Sequence, residues 1–182
     1  MTKKLRIVLG ILVIIGLFSG CNESSNLNVE NVKNSTELNS NQFEGGSTTE
    51  DVAINMGETG VVMHLENDTE FKDKEGITVT EAPTVKVEVN KNIVQTTTKI
   101  NFQANGEDVI PNKAVSLNIP VPQGAKAGDK VKLELSTDNS TAKKLIVVTV
   151  KLDGTITITV DPQQFAGQFV VRIDIEQDNS TN

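Results

Sequence analysis

An all-β chain folded as an antiparallel sandwich is the class this sequence predicts, and three observations predict it. Apolar residues recur at every second position in six separate runs, Val, Ile and Thr dominate those runs, and turn residues separate them. After residue 50 no stretch sustains a helical period over three turns. The elements are taken in chain order.

Residues 1–20 read as an export signal. Lys3, Lys4 and Arg6 form a positive start, and the run from Ile7 to Phe18 is aliphatic and aromatic with two Gly. A membrane-spanning helix needs about 20 apolar residues and a signal core about 7–15, so this run belongs with signals. Ser19-Gly20-Cys21 closes it with small residues. The stretch Leu17-Phe18-Ser19-Gly20-Cys21 resembles the lipobox of exported lipoproteins, with Phe18 where that pattern usually has Leu. The resemblance implies that the Cys21 thiol carries a diacylglycerol and that the signal is cut before it. Two acyl chains anchor stably where one holds only marginally. The expected location is therefore the extracytoplasmic face of a cell membrane, with the membrane as a partner through the lipid. An uncleaved signal anchor with an incidental Cys and an ordinary secretory signal cut elsewhere are the other readings. Removal of residues 1–20 takes away three positive charges and no negative ones, leaving a net charge of about −10.

Residues 21–50 are expected to form a lipid-anchored, disordered linker. Between Asn22 and Glu50, 20 of 29 residues are Asn, Ser, Thr or Glu. Such a composition buries too little apolar surface to offset chain entropy. Leu27, Val29 and Val32 leave a transient helix or a docked strand as the alternative.

A β-sandwich domain is expected over residues 51–177, with a disordered tail at 178–182. Its strands show in Val61/Met63/Leu65, Val85/Val87/Val89, Val115/Leu117/Ile119, Val131/Leu133/Leu135, Ile156/Ile158/Val160 and Phe169/Val171/Ile173/Ile175. Asn105-Gly106, Pro111-Asn112, Gly128-Asp129 and Asp138-Asn139 read as loops. Asp153-Gly154, between two strong runs, reads as a two-residue hairpin turn with both residues at positive φ. About nine strands spaced 8–12 residues apart suit two sheets of immunoglobulin-like type. The expected core holds Phe102, Leu117, Ile119, Leu133, Leu135, Val148, Ile158, Phe169 and Val171. Pro120 and Pro122 cannot donate ladder hydrogen bonds, so they are expected to end a strand and expose an extended segment before Gly124.

Residues 102–172 carry a further pattern. Asn105-Gly106-Glu107-Asp108-Val109-Ile110-Pro111 precedes Val115-Ser116-Leu117-Asn118-Ile119-Pro120-Val121-Pro122-Gln123-Gly124. Val131-Lys132-Leu133, Asp153-Gly154-Thr155-Ile156 and Gln164-Phe165 before Phe169-Val170-Val171 follow. This region resembles an accessory β-sandwich module of surface proteins in Gram-positive bacteria. It departs from that pattern at its end, where Gln164-Phe165-Ala166 replaces His-Phe-Ser and the closing Tyr is absent. The resemblance implies a structural or display role without catalytic residues.

Composition excludes several functions. One Cys makes neither an internal disulfide nor a cysteine-based zinc site. The absence of Trp and Tyr removes the usual stacking platform for sugars or bases. An acidic balance lacks the basic patch that a nucleic-acid partner requires. His64, the only histidine, reads as a surface residue, because no G-x-S-x-G accompanies it. The acidic stretch Glu66–Gly76 offers oxygens for Ca²⁺ but lacks the ligand order of a calcium loop, so it reads as solvated. Asp174, Glu176 and Asp178, spaced by two, are expected to meet a cross-strand Lys from the Lys143-Lys144 region. N-x-S/T sequons stand at Asn22, Asn34, Asn67, Asn139 and Asn179, relevant only in a glycosylating host.

No catalytic, cofactor or metal residue is assigned; Cys21 is the one assigned site. The expected function is that of a non-catalytic surface structural, interaction or adhesion module, with envelope or surface proteins as partners. The alternative is an accessory or ligand-binding subunit of an envelope transporter or enzyme complex.

Overall fold

The computed structural model describes residues 29–137 and 142–175. The chain begins with β1 (Glu30–Glu37), β2 (Phe43–Glu44), β3 (Ser47–Thr48), β4 (Val52–Asn55) and β5 (Val62–Leu65). It continues with β6 (Phe71–Lys72), β7 (Thr84–Lys91), β8 (Gln95–Ala104), β9 (Glu107–Asp108) and β10 (Ile110–Pro111). It closes with β11 (Val115–Pro120), β12 (Lys130–Thr137), β13 (Lys144–Thr149), β14 (Thr155–Val160) and β15 (Phe169–Ile175). Nine of the strands from Val52 onward have four or more residues, matching the number expected.

The large sheet runs β1-β7-β8-β15-β12-β13, with β9 folded back on β8, and the small sheet runs β14-β11-β5-β4. Every pairing is antiparallel. The two sheets stack as an immunoglobulin-like sandwich. Two small pairs, β10-β6 and β2-β3, close one end. Alternation explains the packing directly. On β8 every second residue from Thr96 to Ala104 is buried, and on β11 Val115, Leu117 and Ile119 are buried while Ser116 and Asn118 are not. All the expected core residues are buried except Val148, which is half-buried against the core because β13 lies at a sheet edge.

Five phenylalanines form a continuous chain through one end of the core. Phe43, Phe71, Phe102, Phe165 and Phe169 follow with ring centroids 6.0, 5.3, 5.2 and 5.3 Å apart. Tilted and edge contacts at this spacing suit the aromatic quadrupole. The opposite end of the core is aliphatic, with Val89, Val131, Val150 and Ile173.

The expected linker is folded from residue 30 onward, a correction to the boundary at 51. β1 pairs along its whole length with β7, from Glu30↔Lys91 to Glu37↔Thr84. Leu38, Phe43 and Thr48 are buried. Composition misled here because the many polar side chains serve backbone turns. Asn39 accepts the Asn41 N–H at 2.9 Å, Thr49 donates to the Asn41 carbonyl at 2.6 Å, and Thr48 donates to the Glu66 carbonyl at 2.7 Å. Few apolar anchors suffice for a segment that completes an existing sheet. Residues 21–28 of that linker, and the tail at 178–182, lie outside the described residues.

Two turn expectations are also corrected. Asp153-Gly154 does not join a hairpin, because β13 and β14 belong to different sheets. Only Gly154 is at positive φ, 74°, and the Asp153 carboxylate accepts the Thr155 N–H at 3.0 Å and its hydroxyl at 2.7 Å. The two-residue hairpin is instead Asn105-Gly106, with φ of 53° and 82°, joining β8 to β9. The segment after Pro120 does end its strand, but it is not exposed. Val121 and Pro122 are buried, and the Gln123 and Gly124 N–H groups donate to the Asn92 and Ile93 carbonyls at 3.1 and 2.8 Å.

Candidate functional site

Cys21 and the signal-like residues before it lie outside the described residues. Among the described residues no helix is long and apolar enough to cross a membrane.

His64 is exposed on the outer face of the small sheet. Register places it beside Ala53 of β4 and Ser116 of β11. With Asp51, Glu66 and Thr159 these residues line an open cleft of about 320 Å³. A histidine and a serine are thus neighbours, but the Asp51 carboxylate of the same cleft has other work. Asp51 Oδ1 accepts the Asn67 N–H at 2.8 Å, so it braces a turn and not an imidazole.

The acidic stretch is solvent-exposed at Glu66, Asp68, Lys74 and Glu75, as expected, but it is anchored at two points. Phe71 and Thr69 are buried, and β6 within it pairs with β10. Two of its side chains turn their oxygens to its own backbone. Asp73 Oδ1 accepts the N–H groups of Glu75 and Ile77, both at 2.9 Å, and Asn67 Oδ1 accepts that of Asp68 at 2.8 Å. Glu70 stands 3.9 Å from Lys72. Among the described residues no group of three His, Cys, Asp or Glu is placed to hold a metal.

Asp174 has partners other than those expected. Arg172 on its own strand donates to it at 3.0 Å, and Gln95 across the ladder donates at 2.7 Å. Lys143 instead pairs with Glu134 at 2.7 Å. Glu176 and Asp178 lie outside the described residues. Of the sequons, Asn34 lies half-buried on β1 and Asn67 is exposed in the turn after β5. Asn22, Asn139 and Asn179 lie outside the described residues.

The outer face of the large sheet carries a second open groove, about 580 Å³, over β1, β7 and β8. Lys33 lies 3.2 Å from Glu88, and Lys86 donates to Gln103 at 2.6 Å. The Asn90 side chain, then Lys33, hold the Glu88 carboxyl below its ordinary 4.5. These charges compensate one another locally, so the groove presents a mixed surface.

Sequence reasoning missed the far edge of the same sheet. β13 is exposed at Leu145 and Val147, 73 % and 59 % respectively, and Leu152 just beyond it is 97 % exposed. The run Leu145-Ile146-Val147-Val148 has no alternation, and such a run normally marks a strand buried on both faces. Its position at an edge, visible only in the topology, gives it another meaning.

These features define an antiparallel β-sandwich domain whose described surface offers open clefts and sheet edges. Comparison with protein-family models, with curated proteins and with solved structures finds no match.

Proposed function

We propose that this chain is a lipid-anchored extracytoplasmic lipoprotein whose sandwich serves as a non-catalytic interaction module at a cell surface. The observation that carries the reading is the position of Cys21. It closes a positive, then apolar, then small-residue segment, and it is the single cysteine of the chain. The fold supports it by its spacing. β1 starts at Glu30, nine residues after Cys21, so the tether reaches at most about 30 Å. The domain would stand close to the lipid and not at the end of a long stalk.

The test is direct. Cells expressing the chain are labelled with radioactive palmitate and fractionated, with and without an inhibitor of lipoprotein signal cleavage. The wild type is expected in the membrane fraction, labelled and shortened, with its precursor accumulating under the inhibitor. Cys21→Ser is expected to lose the label. A Cys21→Ser chain that is processed and membrane-bound as before sinks the proposal.

A further inference from the structure

We infer that the end of the sandwich at which β1 begins rests on the bilayer, dipping Val29, Ile93 and Leu152 into the lipid interface. The inference rests on the reading of Cys21 as a lipid anchor, and it gives the anchored domain an orientation. Among the described residues six large apolar side chains are exposed, and Val29, Ile93 and Leu152 are three of them. Strand directions bring these three to one end. β1 begins at Glu30, opposite Lys91, the last residue of β7. Val29 therefore lies where β7 turns into β8, and Ile93 is in that turn. Alternating directions through β15 and β12 then place the end of β13 at the same level, from Asp174↔Gln95 to Val131↔Ile175 and Lys130↔Thr149. Leu152 follows β13 there, at the crossing to β14. Ile77 lies toward the other end, near Phe71 and its phenylalanine neighbours, and Leu145 and Val147 lie along β13.

Hydrogen bonds tie the loops of this end together. The Gln123 and Gly124 N–H groups hold the turn that carries Ile93. The Gly128 N–H donates to the Val150 carbonyl and the Val150 N–H to the Asp129 carbonyl, both at 2.9 Å, just before Leu152. Lys91 stands 3.5 Å from Glu30, at the start of β1. Five strand spacings separate β1 from β13, so the base is about 24 Å wide. Three aliphatic tips spread over that width define a plane of contact. Leu152, 97 % exposed, meets only water otherwise, and entering the acyl boundary would bury its side chain.

Tether length names the bilayer as the occupant. The nine residues from Cys21 to Glu30 reach at most about 30 Å. With the phenylalanine end on the lipid, the tether would run back along β1, about 27 Å, and be almost used up. With the aliphatic end down it needs no return. The outer face of the large sheet is also within reach, but it presents Lys33, Lys86, Glu88 and Lys99 beside the groove. Carboxylates at the aliphatic end are held locally. Asp129 accepts the Lys126 N–H at 2.7 Å, and Asp153 accepts the Thr155 N–H. Lys126 and Lys130 are exposed, and such side chains lay their stems on apolar surface while their heads stay among headgroups. Contact therefore depends on apolar insertion and not on anionic lipid.

The test uses the lipid-modified full chain on phosphatidylcholine vesicles, with one cysteine introduced at a time to carry a fluorescent dye. Ile93→Cys and Leu152→Cys probe the contact, and Ile77→Cys and Val147→Cys serve as references. Flotation reports the anchor, and quenching by nitroxide-bearing lipid reports the contact. Dyes at positions 93 and 152 are expected to be quenched at least about threefold more than those at 77 and 147, equally at low and high salt. With a dye on Val29→Cys, adding Ile93→Glu and Leu152→Glu should remove the quenching. Both substitutions are on exposed positions, so the melting temperature and flotation should be retained. A chain that floats with positions 93 and 152 unquenched overturns the contact and leaves the anchor standing. Equal quenching at 77 or 147 overturns the orientation. Quenching that needs anionic vesicles and vanishes at high salt overturns the apolar basis. A chain that does not float overturns the anchor and the contact together.

Discussion

Thr96 and Thr98 turn their side chains into the space between the sheets, and their hydroxyls have no hydrogen-bond partner among the described residues. A buried hydroxyl without a partner is costly, whereas Val has nearly its shape. Thr98→Val is expected to stabilise the domain by about 1 kcal/mol, read as a higher urea midpoint at an unchanged slope. Phe43 gives the opposite case. It lies within the stretch that composition assigns to a linker, yet it starts the aromatic chain through the core. Phe43→Ala should destabilise by about 3 kcal/mol. A linker residue would change nothing in the same denaturation. Glu88 supplies a pH dependence. Its carboxyl is held below the ordinary value in the folded state, by Asn90 first and then Lys33. That contribution is fully present above the unfolded value of 4.5 and is lost as pH falls through the lower folded one. Glu88→Gln should therefore flatten part of the stability decline below about pH 4.5, a small effect because the pair is exposed.

Elements were legible wherever period and burial coincide. The alternating runs around Val87, Leu117, Leu133, Ile158 and Val171 each became a strand with its apolar face inward. Pairing was less legible, because it depends on which neighbour a strand finds. Asp153-Gly154 and Asn105-Gly106 have equally strong turn chemistry. Only the second joins partners in one sheet, and no local signal says so. β1 was illegible for the same reason, since its stability comes from the β7 ladder and not from its own apolar content. A chain starting at residue 51 is thus expected to be unfolded by circular dichroism and exchange, while one starting at residue 29 should fold. Gly124 marks a close approach that the sequence hides. A Cβ there would lie 2.7 Å from the Ile93 carbonyl oxygen. Gly124→Ala should destabilise by about 1–3 kcal/mol by forcing apart the β7–β8 turn and the segment after β11.

At the scale of the molecule, the sandwich follows from arithmetic that the sequence does carry. Six alternating runs and few helix formers leave two stacked sheets as the way to bury every apolar face. The candidate site was far less legible. The proposed role of Cys21 comes from a linear segment alone, because export signals are recognised as sequence. The β13 edge is invisible in sequence, because edge and centre are properties of strand order, not of residues.

The place of β1 has a mechanical consequence. It is the first strand among the described residues and lies at one edge of the large sheet, while β13 lies at the other. A pull on the chain before β1, against a load held at the far edge of the sheet, would cross the strands, along their hydrogen bonds. A ladder loaded in that direction opens like a zipper, one residue pair at a time. Opening would start at Glu30↔Lys91, where the ion pair at 3.5 Å is the first to part. Release of β1 alone would lengthen the tether by about 27 Å. Leu38 and Phe43, seated in the core, would stop the peeling there. The joint would act as a fuse, yielding under load to spare the rest of the sheet.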